Sequence, residues 1–562
     1  MKKHPVLFLL SALILLCFAA SCRQSAYPQP QISTPAAYRG ADQPYIPKNT
    51  GQSAAYGQVY WGQIVIDPVL KGYLNQATAN NYNIRIAAET IFQAQAQLGV
   101  VRANQYPNVT AGASYNAGKL SANGTTPIPA GTNPTYHYSA ANLMAGWELD
   151  FWGKYRRATD AAKAQLLATV EGYNLVRLTM LTEVASAYFT LRELDKEVEI
   201  CKETVASRQT SYNLVKSREE GGVSNMLEVD QANGLLLGAQ AVLTATEQQV
   251  EQQENYLCFL LGISPQDLKR GMDIDQQLVG INLPPGLPST LLENRPDIRQ
   301  AEAQLIAANA QIDVARAAFF PKIVLTGSGG TLSTPLSQLF TGVNNTWSFV
   351  PQLTQPIFNA GQIASQVRVT QSQQRQAVIN YESTVQEAFR EVSDSLIGYS
   401  KGRDFRLQEQ QLTDTLYDQD RLSKMRYAGG VTSYLEVLDS ERQYFDAELN
   451  LARAKLNEIT YMVKLYKALG GGWQEGPDDL TPVKAGDPAL PLNPSLVPAP
   501  GETPAASVIP TPEIAPSAAP TPSASPTAKP APKETPKPAP KPSPKTEAAS
   551  KEKITTIQKP AK

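Results

Sequence analysis

The sequence predicts an α+β membrane protein with an internal duplication. Four strands per chain and three chains close a twelve-stranded β-barrel, which long α-helical coiled-coil hairpins continue as a tube. Three observations predict it. One structural unit is written twice at a fixed spacing, two proline-free stretches are far longer than a globular helix, and four short segments alternate like strands that cross an outer membrane.

The repeat organises everything else. Arg218-Glu-Glu-Gly-Gly222-Val-Ser-Asn-Met-Leu227-Glu228-Val229 aligns with Arg426-Tyr-Ala-Gly-Gly430-Val-Thr-Ser-Tyr-Leu435-Glu436-Val437, at an offset of 208. The offset holds without a gap from Gly153/Gly361 through Tyr173/Tyr381, Glu183/Glu391 and Val184/Val392 to Gly262/Gly470. Upstream, Asn83-Ile84-Arg85 matches Asp297-Ile298-Arg299, and Arg102 to Pro107 matches Arg316 to Pro321, now at 214. The first copy therefore carries six extra residues between Pro107 and Gly153, where Asn123-Gly-Thr-Thr-Pro127 and Gly131-Thr-Asn-Pro134 are loop chemistry. The resulting division is a signal at 1–21, a lipidated segment at 22–60, repeats at 61–266 and 291–473 around a linker at 267–290, and a tail at 474–562.

Each repeat opens with an Ala- and Gln-rich helix, 83–104 and 297–318. Two strands follow. Val109, Ala111, Ala113 and Tyr115 alternate with Thr110, Gly112, Ser114 and Asn116; the other strands are 138–149, 322–331 and 346–358. About ten residues is the length of a tilted outer-membrane strand. Tyr106, Tyr136, Trp147, Phe319, Phe320, Trp347 and Phe349 cluster at strand ends, as in an interfacial girdle. Four strands leave edges that lipid does not tolerate, so the membrane reading requires other chains to close the barrel.

The long helices come next, at 154–220 and 362–428. Val378, Tyr381, Val385, Phe389, Val392 and Leu396 recur three and four apart, echoed by Val170, Tyr173, Leu181, Val184 and Tyr188, which makes a coiled-coil-like seam. A helix of that length spans ~100 Å. Gly221-Gly222 and Gly429-Gly430 end these helices, and partners return through 224–262 and 432–470.

At the N-terminus, Lys2 and Lys3 precede an apolar run from Val6 to Ala20, too short for a span and shaped as a secretory signal. Ala19-Ala20-Ser21-Cys22 resembles a lipobox, so Cys22 is the expected lipidated residue. Arg23 follows, with no Asp there to suggest inner-membrane retention. Net charge is −1, which offers no basic field for nucleic acid. Cys201 and Cys258 lie ~20 Å apart along antiparallel helices and read as buried thiols, beyond disulfide reach. With two histidines, one in the signal, neither a His-based metal site nor a Ser-His-Asp triad is available, and no cofactor is expected. Beyond Glu475 the chain is rich in Pro, Ala, Ser and Thr, with nine lysines and three glutamates from Lys529 onward. That composition cannot bury a core and reads as a solvated tether running near peptidoglycan.

Pro284-Pro-Gly-Leu-Pro-Ser-Thr-Leu-Leu292 with Asn294-Arg-Pro-Asp-Ile-Arg299 resembles the TolC-like outer-membrane factors, nearest to the lipoprotein branch that serves resistance-nodulation-division (RND) drug pumps. Ala307-Ala-Asn-Ala310, Ala315-Arg-Ala-Ala-Phe-Phe-Pro321, Gln355-Pro-Ile-Phe358 and Leu465-Tyr-Lys-Ala-Leu-Gly-Gly-Gly-Trp473 continue the likeness, which runs from about Trp61 to Trp473. The resemblance implies a homotrimeric, non-enzymatic exit duct in the outer membrane, held by lipid, with a closed periplasmic tip. It implies a periplasmic adaptor and an inner-membrane RND transporter as partners.

It also implies site residues. Gly222, Val223 and Ser224 with Gly430, Val431 and Thr432 form the tip turns that meet the adaptor. Glu436 and Asp439, one helical turn apart, match carboxylates that ring the pore; three chains would set six of them around a narrow lumen, where they favour cations and raise one another's pKa. Tyr427 matches a tyrosine that holds the gate shut, and Glu228 is the first-repeat copy of Glu436. Glu436 stands where the family pattern has aspartate, and Thr432 where some members have arginine. On spacing alone these acids also fit a solvated helix face, and Tyr427 a seam aromatic.

Two motif-like stretches fail. Gly112 to Lys119 is followed by Leu120 and places its first glycine one position early for a phosphate loop, and Thr326-Gly-Ser-Gly-Gly330 has no histidine to serve it. Alternatives are a type I secretion duct, a soluble periplasmic coiled-coil adaptor, and a lipid-anchored glycosidase using paired carboxylates.

Overall fold

The computed structural model describes residues 30, 34–35, 37–42, 61–121, 133–277 and 288–471. Cys22, most of 22–60, the loop at 122–132, residues 278–287, Trp473 and the tail lie outside the described residues.

In chain order the elements are α1 (Trp61–Ile64), α2 (Pro68–Asn80), α3 (Tyr82–Ala103), β1 (Asn108–Lys119), β2 (Thr135–Glu148), α4 (Lys154–Glu220), α5 (Met226–Leu261) and α6 (Ile274–Gln277). The second half runs α7 (Pro288–Asn294), α8 (Pro296–Ala317), β3 (Lys322–Ser333), β4 (Asn345–Thr354), α9 (Gln362–Ala428) and α10 (Tyr434–Ala468). From the Ala-rich helix onward the two halves share one order of helix, strand pair and helical hairpin.

The strands form one antiparallel sheet in the order β1-β2-β3-β4. Residues directly opposite in an antiparallel pair share a face. The register places Ala111 opposite Leu143, Leu143 opposite Gly329, and Gly329 opposite Trp347. Trp147, Leu325 and Pro351 align on the same face, as do Ile323 and Leu353. The other face carries Gly112, Asn142 and Gly330 in one row and Met144, Ser328 and Ser348 in the next, with the two serine hydroxyls 2.8 Å apart. One side is thus apolar and the other mostly polar or glycine, the division expected between lipid and lumen. Trp347 is 83% exposed in the single chain, and Phe349 and Leu353 are also exposed. β1 and β4 leave their outer edges unpaired. The fourth strand is shorter than the expected 346–358: it stops at Thr354, because Pro356 has no N–H for a ladder, and Ile357 and Phe358 lie exposed beyond it.

Both long helices have 67 residues. Each ends in the same glycine turn: Gly222 and Gly430 adopt φ of +74° and +73°, and Val223 and Val431 donate back to the carbonyls of Arg218 and Arg426. These left-handed positions close the last turn as a Schellman motif and favour glycine. The return helices begin two residues later than the sequence spacing suggests. Asn225 caps α5, its side chain accepting from the Glu228 N–H.

The main core lies at mid-length, where Leu181, Val184 and Tyr188 of α4 and Tyr381, Val385, Phe389, Val392 and Leu396 of α9 meet α2, α5, α8 and α10. Nearer the sheet the seam differs from its expected line. Val170 and Tyr173 are only half-buried, while Ala161, Ala164, Ala168 and Glu171 are buried. Small residues win there because α8, itself rich in buried alanines, lies close against α4. Cys201 and Cys258 are buried free thiols.

Candidate functional site: the helical tip

The tip is where the two hairpins touch across about two hundred residues of sequence. Val215 of α4, Val229 and Ala232 of α5, Tyr427 of α9, and Tyr434 and Val437 of α10 form a small apolar cluster. Residues three apart supply it on the two return helices, and the glycine turns bring the four helix ends together. Tyr427 is 7% exposed, its ring 5.1 Å from that of Tyr434.

Tyr427 also serves a polar network. Its hydroxyl donates to Glu228 Oε2 at 3.2 Å, and Ser224 donates to the same oxygen at 2.6 Å. The Arg218 guanidinium lies 4.6 Å from the centre of the Tyr427 ring and donates to the Tyr427 carbonyl at 3.4 Å. First hairpin and second are therefore joined by a hydrogen bond to a half-buried carboxylate and by a stacked, half-buried cation. Burial, then the Glu228 charge, raises the Tyr427 hydroxyl above its ordinary pKa, so it stays a donor throughout the neutral range.

The other expected residues stand apart from this network. Glu436 accepts from Thr432 and pairs with Arg426 at 3.6 Å, all within the second hairpin. Asp439 accepts from Arg442 at 3.1 Å and from Gln443 at 2.5 Å. Glu436 and Asp439 are both substantially exposed in the single chain. Val223 and Val431 project from the turns, with Met226, Leu227 and Leu435 exposed beside them. Arg218 is the member that spacing did not single out. Its alignment with Arg426 made it look like half of a duplicated pair, and the contact to Tyr427 depends on how the hairpins dock.

Farther from the tip, Asp67 ties the chain ahead of α2 to α4 and to the segment at Met272: fully buried, it accepts from the Tyr188 hydroxyl at 2.6 Å, from the Val69 and Met272 N–H groups, and from Gln277. These hydrogen bonds hold its carboxyl below the usual range against the opposing effect of burial. Among the described residues no group of three or more His, Cys, Asp or Glu side chains is placed to hold a metal ion.

The family model described as "Outer membrane efflux protein" matches residues 73–263 and again 287–471. The chain belongs to this family. The efflux pump outer membrane protein TtgC of Pseudomonas putida is 36% identical over 451 residues, covering 79% of this chain and 92% of that one. The outer membrane lipoprotein SilC of Salmonella typhimurium is 33% identical over 428 residues, covering 75% and 90%. The open state of the Neisseria gonorrhoeae outer membrane channel MtrE superposes with a TM-score of 0.70 at 30% identity, covering 80% of this chain and 98% of that one. This outer membrane efflux protein is accordingly a channel of the outer membrane, with the barrel-and-tunnel fold of its family. The proteins it matches are channels rather than enzymes.

Proposed function

We propose that this efflux channel works as a homotrimer whose tip is held shut by the Tyr427–Glu228–Arg218 contact and charged at its mouth by Glu436 and Asp439. The observation that carries the reading is the junction itself: one buried tyrosine of the second hairpin is bound at hydroxyl, ring and carbonyl by the first. Four strands with an uncovered apolar face and two free edges support the trimer, since three copies close twelve strands. The exposed Val223 and Val431 turns with Ser224 and Thr432 are the surface offered to a periplasmic adaptor, which links the duct to an inner-membrane RND pump. Cys22 carries the lipid. The cargo is small molecules, drugs among them, chosen by the pump.

Glu436→Ala with Asp439→Ala tests the mouth. In planar bilayers the wild-type trimer passes small cations in preference to anions, and multivalent cations block it from the periplasmic side. The double variant keeps its trimer and loses both effects. Selectivity and block that survive the double substitution return both acids to a solvated surface.

A further inference from the structure

The two 67-residue helices have unequal surroundings. α4 buries 24 residues and α9 only 14, because helices of both repeats pack on α4. Besides α3 and α5 of its own repeat, α4 meets α8 near the sheet and α10 farther down. Away from the tip, α9 packs chiefly on α8 and α10 of its own repeat. The side of α9 that corresponds to the covered side of α4 is therefore left open.

The duplication shows what matches that side. Within the chain, Glu171 of α4 pairs with Arg299 of α8 at 2.7 Å, and Glu197 pairs with Arg453 of α10 at 2.8 Å. The Arg208 guanidinium lies 5.0 Å from the centre of the Phe445 ring. All three α4 residues are buried. At the offset of 208 their counterparts in α9 are Ile379, Phe405 and Leu416. Ile379 is 64% exposed, Phe405 is 47% exposed, and Leu416 is half-buried. Three buried charges of the first repeat are thus three apolar side chains without full cover in the second, and such surface favours burial.

The same chain carries the complementary surface. Phe445, Leu449 and Ala452 of α10 are buried with Ile200 and Cys201 of α4. Their first-repeat counterparts on α5, Leu237, Ala241 and Thr244, are exposed. So are Ala245, the counterpart of Arg453, and Arg85 on α3, the counterpart of Arg299. Neither α3 nor the body of α5 packs along α9 of its own chain. Two different but matching surfaces on one chain make a head-to-tail joint, which closes into a ring when rotation repeats it.

We propose that α9 of each protomer docks on α3 and α5 of the next copy, in the register that α4 keeps with α8 and α10. This rests on the homotrimer proposed above. Phe405 then sits on Ala245 of the next copy, Leu416 on its Leu237, and Ile379 beside its Arg85. The joint between copies is apolar where the joint within a chain is ion-paired. The difference keeps the two joints distinct, since α4 set on another copy's α5 would bury Glu197 against Ala245 with no cation to pair it.

Full-length protein in mild detergent, carrying Phe405→p-benzoylphenylalanine, tests the register. Ultraviolet light gives covalent dimers and trimers, and peptide mapping places the adduct on α5 within one turn of Ala245. Phe405→Glu raises the dissociation constant of the trimer at least tenfold. Adding Ala245→Arg restores the trimer, because it rebuilds between copies the pair that Glu197 makes with Arg453. Both positions are exposed in the single chain, so each variant keeps its helix content by circular dichroism. A trimer whose adduct maps outside α5, a trimer unmoved by Phe405→Glu, or a failure of Ala245→Arg to rescue overturns the proposal. If Phe405→Glu does not fold, the cross-link decides. A wild-type chain that stays monomeric overturns the homotrimer itself, and the joint with it.

Discussion

The two hairpin tips have one backbone and two chemistries. Both end in Gly-Gly-Val with the same hydrogen bonds, and in both a hydroxyl four residues before a glutamate donates to it: Ser224 to Glu228, Thr432 to Glu436. Arg218 and Arg426 occupy equivalent positions, yet Arg218 reaches across to Tyr427 while Arg426 pairs with its own Glu436. The divergence turns on one position. Tyr427 stands where the first repeat has Glu219. A duplicated scaffold fixes where side chains start, and one aromatic decides whether they point to a neighbour or back to their own helix.

The comparison breaks most visibly at the arginines. Arg218→Ala removes a stacked cation and a carbonyl hydrogen bond at the junction, about 1 kcal/mol per chain and three times over in a trimer. Resting conductance in planar bilayers should rise several-fold. Arg426→Ala removes a long, exposed ion pair of the kind that contributes little, and conductance should stay near wild type. Equal effects would show that the repeats are chemically symmetric.

A second asymmetry lies higher on α4. Glu193 and Glu197 are both buried, where the second repeat has Lys401 and Phe405. Glu197 is paired with Arg453 at 2.8 Å, while burial first and Glu197 second push the Glu193 carboxyl up to about 8. Glu193, Glu197 and Arg453 are the charged residues lining a cavity between α4, α5 and α10, whose other walls are glutamines, Asn457, Thr190 and leucines. The folded chain therefore holds a proton that the unfolded chain releases above about pH 4. Stability from this group is complete below that range and declines as pH rises toward 8. Glu193→Gln should raise the thermal midpoint at pH 8 by roughly 2–4 °C and change it little at pH 5. A variant that loses stability at both values would mean that Glu193 contributes packing rather than a buried proton.

The smallest effect should separate the two hydroxyls. Ser224→Ala removes one of two donors to an acid that also holds Tyr427, so it should shift tip opening measurably. Thr432→Val leaves Glu436 exposed to water and should stay within about 0.5 kcal/mol of wild type in chemical denaturation.

Much of this was legible in the sequence. The 208-residue offset gave both long helices to the residue, because glycine punctuation at Gly153, Gly221, Gly361 and Gly429 is local and leaves its mark in composition. Strand existence was equally plain from alternation, while the end of β4 required weighing Pro356 against the apolar Ile357 and Phe358. The partner of Tyr427 was not legible. Arg218 and Glu228 lie about two hundred residues away, and spacing alone leaves a polar side chain on a helix face free to turn outward, as Glu436 and Arg426 do.

The most direct measurement is the resting conductance of the trimer in a planar bilayer for Tyr427→Phe combined with Glu228→Gln. The pair keeps the ring in its apolar cluster and the Arg218 contact in place, and it removes the Tyr427–Glu228 hydrogen bond between hairpins, worth about 1 kcal/mol in each chain. The account predicts a higher open probability at rest, with the trimer and its thermal midpoint essentially unchanged. Closure indistinguishable from wild type would contradict it and would place the lock elsewhere in the tip.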